Sequence, residues 1–153
     1  MRRTGGLAIL GAVLLAAGVA TGDTVSEAQK SVDQRVAAMK EMGGKINEAF
    51  QLSGANTADA RTKLAAALAI AQSIPSRFPA GTADGDAGVT TRALPKIWSD
   101  HAGFQKAADG LAAALKAADA KLAANDSAGA DAAFTDVRKA CATCHESYRG
   151  KAK

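Results

Sequence analysis

Aromatic side chains are scarce in this chain: four phenylalanines, one tryptophan and one tyrosine make up 4% of 153 residues. There are also only three prolines. A core cannot then be built from large rings, and 48% hydrophobic content rich in alanine points to small aliphatic side chains on close-packed helices. No polybasic run or aromatic platform is present, and the formal charge of +4 falls to about +2 without Arg2 and Arg3. A nucleic-acid surface is excluded on that balance. Cysteine and histidine are scarcer still, at two residues each. Both cysteines and one histidine fall within five residues of the terminal stretch VRKACATCHESYRGKAK, as Cys141, Cys144 and His145.

At the other end, Arg2 and Arg3 precede the uncharged stretch TGGLAILGAVLLAAGVATG. Its apolar part, Leu7 to Ala20, is short for a bilayer span and is followed by small residues. This is the pattern of a secretory signal peptide over 1–22, which leaves residues 23–153 as one mature domain. The mature protein is expected in the periplasm, with no stable membrane insertion after processing.

The mature chain carries four helical patterns. Thr24 and Glu27 form a potential capping box ahead of Val32, Val36, Met39, Met42, Ile46 and Phe50, which recur at intervals of three and four. Asn56 or Thr57 opens a second pattern through Leu64, Leu68, Ala71 and Ile74, stopped by Pro75. From Pro75 to Leu94 the glycine- and proline-punctuated sequence has no period and reads as a long loop. Loops of that length often carry function, covering a ligand edge or a subunit contact. Its DGD sequence lacks the ligand series of a calcium loop and reads as a turn.

Pro95 suits the start of a third helix with Ile97, His101, Phe104, Ala108, Leu111, Leu115, Ala118 and Leu122 on one stripe. Asp126 or Ser127 caps a fourth with Ala130, Phe134, Val137, Cys141, Cys144 and Tyr148. The expected fold is all-α: an antiparallel four-helix bundle with a long loop between helices two and three.

A C-x-x-C-H sequence fits three chemistries. A redox dithiol belongs at a helix start after a strand, whereas this motif lies late in a helix and no strand pattern exists. Zinc needs a fourth ligand, and His101 is the only other histidine. Covalent haem attachment uses two thiols for thioether bonds and the adjacent histidine for iron, and positions i, i+3 and i+4 share a helix face. The motif and the leader together favour one haem c, held by Cys141 and Cys144 with His145 on iron.

The ending ACATCHESYRGK, with LPKIWSDHAGF, FPAGT and SVDQRVAAMKEMGGKI, resembles the cytochrome c′ family, the four-helix-bundle class II c-type cytochromes. The resemblance covers nearly all of the mature chain, and it implies a periplasmic haem protein that often forms a homodimer through its first two helices. The family has two branches. In one, an apolar side chain packs over a five-coordinate iron that takes nitric oxide or carbon monoxide. In the other, a methionine of helix one ligates a low-spin iron, and the protein passes electrons to redox partner proteins. Met39 falls at that position, and VAAMKEMGG is closest to the methionine-ligated branch.

The resemblance also implies that Arg35 lies near a haem propionate and Arg149 near the proximal histidine. His101 matches no ligand, and Trp98 is expected to anchor the chain beside the loop. Helix one lacks the distal His or Arg acid–base pair that peroxidase chemistry needs, so an electron carrier is the expected function rather than an enzyme. The alternative is capture of nitric oxide or carbon monoxide at an open haem face.

Overall fold

The structure, a computed structural model, describes the backbone of residues 21–151 and the side chains of residues 27–151. The leader expected over 1–22 falls outside these residues except for Thr21 and Gly22. Among the described residues the architecture is all-helical: α1 (Thr21–Leu52), α2 (Thr57–Gln72), a 3-10 turn (Pro75–Arg77), a one-turn α3 (Lys96–Ser99), α4 (His101–Ala123) and α5 (Ser127–Tyr148). None of these helices is long and apolar enough to cross a membrane.

α1, α2, α4 and α5 form the expected up-down-up-down bundle. The start of α2 meets the end of α4 through Arg61 Nε and Asp119 Oδ1 at 2.8 Å. Chain just past α2 meets the start of α4, with the Phe78 and Phe104 rings 4.9 Å apart. Lys63 of α2 pairs with Glu48 near the end of α1 at 2.7 Å. These exposed pairs record the antiparallel order and contribute little to stability. The core is dominated by small aliphatics, with Ala49, Ala60, Ala67, Ala71 and Ala118 fully covered beside Leu64, Leu115 and Val137. Small side chains let the helix backbones approach closely, as the shortage of rings requires.

Two helix boundaries differ from the sequence pattern. α1 already runs at Thr21, so Thr24 lies inside the helix and the Thr24–Glu27 box does not start it. No proline stands there to stop the helix, since all three lie between residues 75 and 95. The third helix is broken at Asp100, whose backbone leaves helical geometry at φ −125° and ψ 53°. The Asp100 carboxylate accepts Gly103 N–H at 3.1 Å as an N-cap and Tyr148 O–H at 2.9 Å. Tying the end of α5 to the start of α4 in this way outweighs continuation of the helix. His101 is consequently exposed at the first turn of α4 rather than seated on its buried stripe.

The long segment after α2 straps one end of the bundle. Phe78 meets the edges of Trp98 and Phe104, and Phe104 meets Tyr148, with centroids 6.4, 4.9 and 5.3 Å apart. Trp98 Nε1–H donates to Phe78 O at 3.1 Å, so it does anchor the chain beside the loop. At the far side of the strap, Leu94 N–H donates to Tyr148 O and Gly150 N–H to Arg92 O, fixing the loop to the end of α5. The DGD sequence is a turn in which Asp86 accepts Ala83 N–H at 2.6 Å.

Gly103 owes its identity to the Asp100–Tyr148 bond. A Cβ there would lie 2.5 Å from both the Asp100 carboxylate and the Tyr148 hydroxyl. Gly103→Ala is therefore expected to destabilise the fold by about 1–3 kcal/mol. Gly110→Ala, in the same helix with nothing within 4 Å of its new methyl, should stabilise it by about 0.5–1 kcal/mol. Urea midpoints of the two variants that move the same way would contradict this account.

Candidate functional site

The helices pack in the order α1 on α2, α2 on α4 and α4 on α5, while α1 and α5 make almost no close backbone approach. Their one ring contact is Phe50 against Phe134, edge-on at 5.4 Å. That contact sets their register. Eleven residues back along α1 from Phe50 is Met39, and eleven residues onward along α5 from Phe134 is His145. Because both helices rise about 1.5 Å per residue and run in opposite directions, Met39 and His145 stand at the same level across the seam.

The seam is lined by the residues singled out from the sequence. On α1, Val36, Met39, Gly43 and Phe50 share a face by helical spacing, and Val36 and Phe50 are the exposed large hydrophobics, at 43% and 38%. A Cβ on Gly43 would meet nothing within 4 Å. On α5, Cys141 and Cys144 are half-buried against the edge of the core and His145 is exposed. Met39 is likewise half-buried at the core edge, whereas Met42 is 5% exposed and belongs to the core itself. Arg138 lays its guanidinium 4.5 Å from the centroid of the Phe50 ring, closing the seam at the Phe50–Phe134 level.

Electrostatics separate the chemistries open to the motif. Burial pushes both cysteine thiols above their ordinary range, with Cys141 adding to the effect on Cys144. A reactive redox dithiol shows the opposite shift. No group of three metal-ligating side chains lies together among the described residues, as a zinc site would require. Although His145 as a whole is exposed, its imidazole loses part of its hydration against the seam, and this, followed by the positive charges of Arg149 and Arg92, holds it below its usual range. The neutral ring, with a lone pair to donate, is therefore favoured.

Arg35 sits one turn before Met39 and is 3% exposed. Its guanidinium donates to Thr82 Oγ1 at 2.6 Å, Thr82 O at 2.7 Å and Thr91 Oγ1 at 2.8 Å, and lies 4.6 Å from the centroid of the Phe78 ring. Burial holds it below its ordinary range, and no carboxylate offsets that effect. All three bonded partners are neutral, so a buried cation stands beside the seam without a counter-charge, which is costly unless an anion approaches.

Together these features fit one group. Two thiols, a neutral imidazole and a thioether face an apolar seam whose α1 wall has unfilled space, with an unpaired cation nearby. This donor set suits a large flat ring with iron at its centre and carboxylates at its edge. The sequence motif located the α5 wall; Met39 shares its helical stripe with Met42 and was singled out only by the resemblance to the family. Reading the sequence missed Thr82, Thr91 and Phe78 as the partners of Arg35, and Phe50, Phe134 and Arg138 as the closure of the seam. The available signal for Arg35 was its position on the apolar face of α1, where a charged side chain needs a partner.

Residues 30–149 match the family model described as Cytochrome C'. The chain is 35% identical over 147 residues to cytochrome c′ of Rhodopseudomonas palustris, covering 94% of each chain. It is 35% identical over 124 residues to cytochrome c-556 of Agrobacterium tumefaciens, covering 78% of this chain and 97% of that one. In structure it is similar to cytochrome c′ from Rubrivivax gelatinosus, with a TM-score of 0.67 and 26% identity over 80% of this chain and 96% of that one. It is also similar to a cytochrome c′ with unusual ligand-controlled dimer dissociation, with a TM-score of 0.70 and 26% identity over 81% of this chain and 97% of that one. The chain therefore belongs to the cytochrome c′ family of c-type cytochromes, helical-bundle proteins that carry one covalently bound haem c.

Proposed function

We propose that this protein is a periplasmic electron carrier whose haem is bound through Cys141 and Cys144, with His145 and Met39 as axial ligands. The observation that carries the reading is the level match of Met39 and His145 across the α1–α5 seam, derived from the Phe50–Phe134 contact. When bound, haem supplies one-electron exchange at iron between its ferric and ferrous states.

The protein's own groups define the rest. The two thiols provide thioether attachment, which fixes the ring to α5. The neutral imidazole of His145 would hold iron through a nitrogen lone pair. The soft, uncharged sulfur of Met39 would be the second protein donor and would favour the ferrous state, raising the reduction potential. Arg35 contributes a fixed positive charge for a propionate, using donor hydrogens left over from its bonds to Thr82 and Thr91. Arg149 and Arg92 disfavour a proton on His145 and so keep it available as a ligand. With one axial ligand on each of two helices braced by the rest of the bundle, the site has little freedom to reorganise, as electron transfer requires. Redox partner proteins are the expected partners, and the dimeric behaviour of a structural relative supports a homodimer here.

The chain should emerge from the periplasm without its first 20 to 22 residues. Amino-terminal sequencing that returns Met1 on membrane-bound protein would overturn the export assignment.

Colour should survive denaturation and acid–acetone extraction, because thioether bonds outlast axial coordination. Cys141→Ala or Cys144→Ala is expected to leave a single attachment or to impair maturation. A colourless wild-type protein with free haem in the extract would defeat the covalent assignment.

The spectrum of the ferric protein decides the axial ligand. Low-spin absorption with a far-red sulfur-to-iron band is expected for the wild type. Met39→Ala should convert it to a high-spin centre of lower potential that binds nitric oxide and carbon monoxide. Met42→Ala should leave the spectrum in place while costing about 2–5 kcal/mol in stability, because Met42 is buried. A wild-type protein already high-spin, with a spectrum indifferent to Met39→Ala, would make gas binding the function and Met39 a packing residue.

A further inference from the structure

His145 stands in the last turn of α5, which ends at Tyr148. The last four carbonyls of a helix have no partner within it, and terminal turns open at little cost in free energy. A histidine that holds a metal is ordinarily aimed by a hydrogen bond from its second ring nitrogen to a carboxylate or carbonyl. Among the described residues no protein group makes such a bond to the His145 imidazole. The direction of the ring therefore depends on how firmly the turn beneath it is held.

Tyr148 supplies that hold. It is buried, and each part of it is tied to a different element. Its O–H donates to Asp100 Oδ2 at 2.9 Å at the start of α4, and its C=O accepts Leu94 N–H at 3.0 Å from the loop. Its ring lies edge-on to Phe104, with centroids 5.3 Å apart. Arg149 N–H, on the next residue, donates to His145 O at 3.1 Å and closes the turn onto the histidine itself. Asp100 is fixed in its turn, since its Oδ1 accepts Gly103 N–H at 3.1 Å. Residues three and four apart on a helix share a face, so Tyr148 anchors the side of α5 that carries Cys144 and His145.

We propose that Tyr148 and Asp100 are positioning residues for His145: their hydrogen bond locks the last turn of α5 onto the start of α4 and so sets the direction of the imidazole. This role presupposes His145 as an axial ligand, the function proposed above.

Proton NMR of the ferric holoprotein, with its histidines labelled with ¹³C, reads the role through the His145 ring signals, whose paramagnetic shifts follow ring orientation at iron. Hydrogen exchange of the Arg149 amide reports opening of the same turn. Tyr148→Phe, which removes only the hydroxyl, should move the His145 signals and speed Arg149 exchange by about tenfold or more, the change expected for one lost hydrogen bond to a charged acceptor. Asp100→Ala should act in the same way. Asp100→Asn, whose side-chain amide still serves Gly103 N–H and the Tyr148 hydroxyl, should keep both readouts near their wild-type values. Leu115→Ala controls for stability alone: it opens a cavity at a buried site about 22 Å along α4 from Asp100, and should lower the thermal midpoint without moving the His145 signals. His145 signals that stay in place in both Tyr148→Phe and Asp100→Ala would overturn the positioning role. A wild type with no paramagnetically shifted histidine signal would overturn the ligand assignment and this role with it.

Discussion

The edge-on contact of Phe50 with Phe134 is the constraint on which the functional geometry depends. It is the one place where rings from α1 and α5 meet, and it acts as a fulcrum. Below it Arg138 stacks on Phe50. Beyond it the two helices present side chains to each other without close backbone packing. A bundle with so few large side chains would ordinarily collapse until its helices touched, because small residues favour close approach. Placing one bulky pair between α1 and α5 holds that seam apart and simultaneously fixes which residue of α1 faces which residue of α5.

At the other end, the seam is bounded by a strap instead of a ring pair. Arg35 binds the loop to α1 through Thr82 and Thr91, and Arg92, Leu94 and Gly150 bind its far side to the end of α5. Such a connection bridges the helices without filling the space between them. Its cost is a buried guanidinium surrounded by neutral acceptors, tolerable where an anion completes the environment. The same residue thereby links loop order, the α1 wall of the seam and a recess beside the 3-10 turn.

Much of this was legible in the sequence because it depends on short-range pattern. Helical periodicity is a local property, and the stripes of α1, α2, α4 and α5 followed it. The C-x-x-C-H spacing likewise lies within five residues, so Cys141, Cys144 and His145 could be put forward as the haem-binding residues without a fold. Trp98 beside the loop was expected from the same kind of reading. The break at Asp100 was not, because its cause is Tyr148, nearly fifty residues away. A cap that also accepts a distant hydroxyl competes with helix propagation, and only the folded chain brings the two together. His101 left its expected stripe for that reason.

What the sequence determined by itself was therefore the set of helices, the haem-binding motif and the presence of a methionine on the inner face of α1. What the tertiary structure alone decided was their relation: Met39 level with His145, Met42 turned into the core, and Arg35 buried against threonines of a distant loop. Periodicity tells which side of a helix is apolar but is indifferent to how far that helix slides along its neighbour. Register comes from contacts between residues remote in the chain, here Phe50 with Phe134, and only packing in three dimensions creates them.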